Sequence, residues 1–217
     1  MAELIPAILT RDPEEVKEKL KFLDNFPQLR EVQVDFEDGR FVENTTVMPK
    51  DLWGIQTRFA IEAHMMVSFP QAYFHDLEIL GIKRIILHRE SFTQQADLLT
   101  SLSNAKVMGF ERGVAINPQI DISVFDDLVG LVEVFLLMCV EPGFQGRKFI
   151  PNSLDRLFAL RERHKDAIIE VDGGINLDNI ESVVGQGADR VVVGAGIWQT
   201  PDAEQTIQKF LKLLRTY

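Results

Sequence analysis

The sequence lacks the features that mark secreted and membrane proteins. Cys139 is the single cysteine among 217 residues, so no internal disulfide can form, and we expect a reducing compartment such as the cytoplasm. No apolar run approaches the roughly 18 residues of a membrane span. The longest run, residues 134–140, has the length of a buried strand. The first residues show no basic and apolar pattern of a secretory signal.

Positive charge is also scarce. Lys and Arg number 23 against 33 Asp and Glu, which gives a net charge of −10. The chain therefore has no overall positive charge to attract the phosphate backbone of a nucleic acid, and an anionic membrane surface would repel it. We expect neither nucleic acid nor membrane as a partner. An anionic small molecule would have to be held locally, by backbone N–H groups or a metal ion.

Linkers and low-complexity segments are missing, and a regular alternation runs through the chain instead. Eight apolar, strand-like runs alternate with amphipathic helical patterns, at residues 4–9, 31–37, 59–65, 83–88, 113–117, 132–140, 168–172 and 190–194. This alternation predicts parallel strands joined by helices. Eight units predict an α/β protein with one (β/α)8 TIM-barrel domain over residues 1–217. The alternative, an open doubly wound sheet, usually has a glycine-rich first turn, and residues 7–12 contain no glycine.

In a barrel, functional side chains lie at the C-terminal ends of the strands. Period-two alternation places Gln33, Asp35 and Glu37 on one face of the second strand. His64 lies near the end of the third strand and Asp172 at the end of the seventh. Two carboxylates and an imidazole at one barrel mouth could bind a divalent metal ion, or move protons on opposite faces of one carbon. The alternatives are a solvated strand end for residues 33–37 and a core histidine for His64.

Glycines follow the last three strands. They are Gly143 and Gly146, Gly173 and Gly174, and Gly194 and Gly196. Glycine loops after strands seven and eight of a barrel frequently form a phosphate site from backbone N–H groups and a helix N-terminus. The alternative is that these glycines only allow tight turns. Combined with the carboxylates, a phosphate site suggests epimerisation of a phosphosugar next to its carbonyl.

Over essentially its whole length, the sequence resembles the ribulose-phosphate 3-epimerase family. The resemblance is carried by residues 6–9, 34–42 with Asn44, 64–66, 142–146 and 170–176. It implies a ribulose-phosphate-binding barrel that acts on a ketose phosphate of carbohydrate metabolism and forms a homo-oligomer. It also implies epimerisation at C3 through an enediolate, with a divalent metal ion such as Mn, Zn, Fe(II) or Mg.

The resemblance implies a role for each matching position. Asp35 and Asp172 match the two catalytic acid/bases and also metal ligands, and His64 matches a third metal ligand and substrate contact. Met66 and Met138 match an apolar wall around the reacting carbons. The matches to phosphate and substrate contacts are Gly143, Phe144, Gln145, Gly146, Gly173, Gly174, Gly194 and Ala195.

Three site-facing positions depart from the family pattern. Gln33 stands where the family has a metal-binding His, Ala7 replaces a Ser, and Glu37 replaces a Met. Either the metal is kept, with Gln33 and Glu37 as additional oxygen ligands that favour magnesium or manganese over zinc, or it is lost. In the second case the crowded carboxylates of Asp35, Glu37 and Asp172 should hold at least one proton more tightly.

The alternatives to this function are a related hexulose-phosphate 3-epimerase and a non-catalytic phosphosugar-binding protein. For His88 we expect packing beneath the site.

Overall fold

A computed structural model describes residues 2–215. Eight parallel strands pair in chain order and close into a barrel, so the open-sheet alternative is wrong. All eight predicted strands are confirmed, and their ends differ from the prediction by at most two residues. The strands are Glu3–Ile8 (β1), Glu31–Glu37 (β2), Ala60–Met66 (β3), Arg84–His88 (β4), Glu111–Ile116 (β5), Val134–Met138 (β6), Ile168–Asp172 (β7) and Arg190–Val193 (β8).

Helices connect the strands, as the βα alternation predicts. The α-helices are Pro13–Leu23 (α1), Phe74–Leu80 (α2), Gln95–Val107 (α3), Ser153–Arg163 (α4), Ile180–Gly185 (α5), Ala195–Trp198 (α6) and Ala203–Leu214 (α7). Shorter 3-10 segments span Pro49–Leu52, Pro70–Tyr73, Arg89–Ser91 and Ile122–Leu128. Within residues 2–215, no helix combines the length and hydropathy needed to cross a bilayer.

Contacts between Cα atoms divide the described chain into two compact units. One unit is Ala7–Val114, and the other comprises the residues up to Pro6 and those from Ala115 onward. In the first unit, β2 pairs with β3 so that Asp35 lies beside His64. In the second unit, β6 pairs with β7 so that Met138 lies beside Asp172.

The two faces of β2 differ in chemistry. Val34 and Phe36 are fully buried on one face and supply the apolar packing that holds the strand. Gln33, Asp35 and Glu37 occupy the other face and are also buried. Burying three polar side chains in succession is unfavourable unless each finds a partner, so their contacts indicate what this face does.

Charged side chains near the N-terminal ends of β2 to β5 form one group, here called the paired cluster. It consists of Glu31, Glu62, Lys83, Arg84 and Glu111. Arg84 Nη1 lies 2.8 Å from Glu31 Oε2 and 2.9 Å from Glu62 Oε2, and its other terminal nitrogen contacts Glu111. Lys83 Nζ lies 2.9 Å from Glu31 Oε1. Every carboxylate in the paired cluster therefore contacts a cation.

Candidate active site

A second polar group occupies the same face of β2 and β3, nearer their C-terminal ends. We call Gln33, Asp35, Glu37 and His64 the acid cluster. The strand register sets Asp35 directly beside His64, and His64 Nδ1 lies 3.1 Å from Asp35 Oδ1. His64 is fully buried and Asp35 is 5% exposed. The pairing of two strands thus forms a carboxylate–imidazole pair in a site that largely excludes water.

Gln33 connects the two members of that pair. Its Nε2 donates to Asp35 Oδ1 at 2.9 Å and lies 3.3 Å from His64 Nδ1. An amide nitrogen is a donor only. It therefore offers N–H groups to Asp35 and His64 without adding a positive charge. In this structure the amide nitrogen of Gln33, and not its carbonyl oxygen, faces Asp35 and His64. A metal-ligand role for Gln33 would require its amide to turn.

His88 contacts the acid cluster directly. Its Nε2 lies 2.8 Å from His64 Nε2, and the two rings stack with centroids 5.0 Å apart. Phe41 packs on the ring of His88 with centroids 4.9 Å apart, and Glu90 Oε2 lies 3.8 Å from His88 Nδ1. One imidazole must donate to the other, so the proton position on His88 constrains that on His64. The expectation of packing alone is therefore incomplete.

Glu37 is fully buried and held on one side only. Its Oε2 accepts a hydrogen bond from Asn44 Nδ2 at 2.6 Å, and Asn44 Oδ1 accepts one from Arg11 Nη2 at 2.8 Å. Its Oε1 has no hydrogen-bond partner. Burial, followed by the charge of Asp35, raises the pKa of Glu37 to about 8, while the Asn44 hydrogen bond and the charges of His64 and Arg11 oppose that shift. The prediction that a crowded carboxylate holds its proton therefore has a concrete candidate.

Sequence reasoning assigned no role to three residues that support Glu37. They are Arg11, Asn44 and Thr46. Thr46 Oγ1 donates to the Asp35 carbonyl at 2.7 Å and accepts from the Glu37 N–H at 2.9 Å. The sequence signal for these residues was the Asp-Gly turn at residues 38–39. Such a turn brings the segment that follows it back alongside β2.

Asp172 completes the set of candidate metal ligands. It ends β7 and is partly exposed. One ligand atom each from Asp35, His64 and Asp172 can be chosen so that all lie within 4.8 Å of one another. The three residues predicted from separate strand ends are thus brought together. Glu37 is not a member of this set.

The loops after β6 and β7 contain glycines with positive φ. Gly173 and Gly174 have φ of +112° and +68°, a region that L side chains rarely adopt. A Cβ on Gly174 would lie 2.5 Å from the backbone nitrogen of Phe149. Gly143 and Gly146 also have positive φ, at +117° and +79°. These turns need glycine for steric reasons. This finding is compatible with a phosphate site and equally with glycines that only allow tight turns.

The remaining predicted positions lie on neighbouring strands and loops. Met66 and Met138 are both 3% exposed. Met66 lies beside Glu37 in the β2–β3 register, and Met138 lies beside Asp172 in the β6–β7 register. Phe144 is exposed and Gln145 is half-buried. Gly194 precedes α6, and Ala195 is the first residue of that helix.

Comparison with known proteins identifies the family. The model of the "Ribulose-phosphate 3 epimerase family" matches residues 3–198. The chain belongs to the ribulose-phosphate 3-epimerase family. A ribulose-phosphate 3-epimerase of Aquifex aeolicus is 36% identical over 186 residues, covering 83% of this chain and 82% of the relative. The Synechocystis protein of the same name is 31% identical over 208 residues, covering 93% and 90%.

Solved structures support the fold. The 3-hexulose-6-phosphate synthase of Salmonella typhimurium superposes with a TM-score of 0.71 at 17% identity, over 99% of both chains. Thiamine phosphate pyrophosphorylase of Pyrococcus furiosus gives a TM-score of 0.65 at 14% identity, over 99% of this chain and 96% of that one. At such low sequence identities, the structural similarity shows the barrel fold alone and does not indicate the substrate.

Proposed function

We propose that this epimerase-family chain inverts the configuration at C3 of a ketose phosphate, with ribulose 5-phosphate as the first substrate to test. The observation that carries the proposal is the convergence of Asp35, His64 and Asp172. Two carboxylates near one imidazole suit a reaction in which one acid/base removes a proton and a second returns it. The epimerase names of the relatives point to the same reaction.

In the proposed reaction, Asp35 and Asp172 act on opposite faces of C3. One carboxylate takes the C3 proton, and the C–H electron pair moves toward the C2 carbonyl to give an enediolate. The other carboxylic acid then delivers a proton to the opposite face of C3, which inverts its configuration. Gln33 donates to Asp35 Oδ1, so its hydrogen bond positions that carboxylate.

The donor set of Asp35, His64 and Asp172 fits a divalent cation, since carboxylates and an imidazole suit Zn, Mn or Fe(II). When bound, such a cation would supply positive charge that stabilises the negative charge developing on substrate oxygens. We propose these three residues as its ligands. Gln33 and Glu37 stay as candidates for further ligands. Glu37 lies outside the set of mutually close atoms, so it would have to move to join it.

We propose that the glycine loops hold the phosphate and sugar, through backbone N–H groups. The positions are Gly143, Phe144, Gln145, Gly146, Gly173, Gly174, Gly194 and Ala195. A net charge of −10 favours an uncharged clamp of this kind over a general basic surface. Met66 and Met138 would form the apolar wall of the site.

The proposal is tested by following conversion of ribulose 5-phosphate to xylulose 5-phosphate. The protein is depleted with chelator and then supplied separately with manganese, zinc, iron(II) or magnesium. We expect conversion with at least one cation and its loss in Asp172→Asn. The exposed Asp178 offers a matched control, because Asp178→Asn makes the same chemical change in the loop after β7.

Two other outcomes would replace the proposal. Conversion of a hexulose 6-phosphate with no conversion of ribulose 5-phosphate would indicate the related hexulose-phosphate 3-epimerase. Saturable ketose-phosphate binding without conversion under any cation would indicate a non-catalytic phosphosugar-binding protein.

We also propose a setting for the chain: a homo-oligomer in a reducing compartment such as the cytoplasm, with residues 1–217 unfolding as one domain. The single cysteine, Cys139, is buried and free, which supports a reducing compartment. Analytical ultracentrifugation would test the oligomer. A single calorimetric transition, with equal calorimetric and van't Hoff enthalpies, would support one domain.

A further inference from the structure

Glu37 is anchored by a chain of hydrogen bonds that fixes its direction. Arg11 has only donors, so the Asn44 oxygen it contacts must be the acceptor Oδ1. Asn44 must then present Nδ2 to Glu37, and it does so at 2.6 Å from Oε2. Arg11 Nε also donates to the Thr45 carbonyl at 3.0 Å, which fixes the guanidinium. Glu37 Oε2 is therefore committed to Asn44.

The other carboxyl oxygen of Glu37 is left without a partner. Oε1 is buried and has no hydrogen-bond partner, although an unsatisfied buried acceptor is costly. Glu37 shares its strand face with Asp35, one step nearer the C-terminal end of β2. A molecule that binds inside the site would supply the hydrogen-bond partner that the buried Oε1 lacks.

The chemical class of a partner for Glu37 Oε1 follows from the groups around this side chain. Glu37 is not among the mutually close candidate metal ligands, so a cation held by Asp35, His64 and Asp172 would not satisfy Oε1. A phosphate group would be repelled by the carboxylate of Asp35. A sugar hydroxyl can donate or accept a hydrogen bond and brings no negative charge.

We propose that Glu37 is a substrate-positioning residue whose Oε1 forms a hydrogen bond with a hydroxyl group of the bound ketose phosphate, with Asn44 and Arg11 setting its orientation. This inference rests on the proposed function for its substrate class. It makes Glu37 a determinant of specificity, because a site built to pair a hydroxyl discriminates against an analogue that lacks it.

The test measures binding without turnover. Xylitol 5-phosphate carries the hydroxyls and the phosphate but has no carbonyl, and inorganic phosphate carries no hydroxyl chain. Their dissociation constants are measured by calorimetry with the Mn²⁺-loaded wild type, Glu37→Met and Glu37→Gln. The exposed neighbour Glu43 gives matched controls, Glu43→Met and Glu43→Gln. The Mn²⁺ affinity of each variant is measured separately.

We expect Glu37→Met to weaken xylitol 5-phosphate binding by about 3- to 100-fold, the range for a lost hydrogen bond to a neutral or a charged group. In Glu37→Gln, the amide oxygen should accept from Asn44 and the NH₂ group should donate to the oxygen of the same hydroxyl, so the loss of affinity should be smaller. Inorganic phosphate and Mn²⁺ affinities should not change. The conservative variant also keeps the test decisive if Glu37→Met does not fold.

Several results would overturn the inference. Wild-type affinity for xylitol 5-phosphate in both variants would mean that Glu37 contacts no hydroxyl. A loss of Mn²⁺ affinity in Glu37→Gln would make Glu37 a metal ligand instead. No binding of xylitol 5-phosphate by the wild type would also reject the inference, even if the epimerase assay succeeds. Conversely, specific binding without epimerisation would reject only the proposed reaction.

Discussion

The paired cluster and the acid cluster share one face of β2 and β3, yet they differ in charge balance. Glu31 and Asp35 are four residues apart on β2, and Glu62 and His64 are two apart on β3. In the paired cluster every carboxylate contacts Lys or Arg. In the acid cluster the contacts of Asp35 and Glu37 include amides, a hydroxyl-bearing residue and an imidazole.

The difference distinguishes buried charges that stabilise the fold from buried carboxylates that are available for acid/base chemistry. Paired charges need each other to remain buried, and their removal is felt as lost stability. Carboxylates that contact amides and an imidazole keep their capacity to take a proton or a positively charged ligand, which is what acid/base chemistry requires. The expected experimental signatures of the two clusters are therefore opposite.

The largest expected effect is on activity and lies in the acid cluster. Asp35→Asn should lower the epimerisation rate by about 10²- to 10⁴-fold, because an amide cannot exchange a proton with C3. Steady-state kinetics with ribulose 5-phosphate would measure the loss, and the melting temperature would show that the fold survives. Near wild-type kcat in this variant would remove Asp35 from the mechanism.

The paired cluster should respond in the opposite way. Arg84→Met leaves Glu62, whose side chain is 1% exposed, without its arginine, and should cost about 3–5 kcal/mol in the free energy of unfolding. Urea titration would measure this cost. Lys83, with a 42% exposed side chain, is the matched control, and Lys83→Met should cost below about 1 kcal/mol. Equal costs for the two variants would contradict the distinction between buried and exposed pairs.

Gln33→His would sharpen the comparison by changing a neutral bridge into a metal ligand. An imidazole binds Zn or Mn better than an amide does, so we expect cation affinity to rise by about tenfold or more, the scale on which changes around metal ligands act. Titration of the chelator-treated protein with Mn²⁺ would measure it. Unchanged affinity would mean that position 33 does not face the cation.

The smallest expected effect is a pH dependence of stability. The pKa of Glu37 is about 8 in the folded chain, against a reference value of 4.5. Between these pH values the folded chain binds a proton that the unfolded chain has lost, so the free energy of unfolding should fall as pH rises through this window.

Glu37→Gln should remove that fall. Melting temperatures of the wild type and the variant are measured in chelator at pH 6 and pH 9. At pH 9 the variant should melt at the same temperature as the wild type or at a higher one. Parallel pH profiles would show that Glu37 ionises normally.

The fold was largely predictable because it depends on patterns within short segments. Alternating apolar runs located all eight strands, and the rule that sites lie at strand ends selected Asp35, His64 and Asp172. The hydrogen bonds of the site were not predictable in the same way. Arg11 and Asn44 are 33 residues apart, and His64 and His88 are 24 apart. Such contacts depend on side-chain rotamers and loop paths, which residue spacing does not encode.

The most direct test of the two-carboxylate account is solvent isotope incorporation. Ribulose 5-phosphate is incubated in D₂O with metal-loaded protein, and C3 of both epimers is followed by proton NMR. We expect the xylulose 5-phosphate product to carry deuterium at C3, and Asp172→Asn to form no such product. Product that retains protium at C3, or unchanged turnover in Asp172→Asn, would contradict removal of the C3 proton by one aspartate and delivery of a solvent-derived proton by the other.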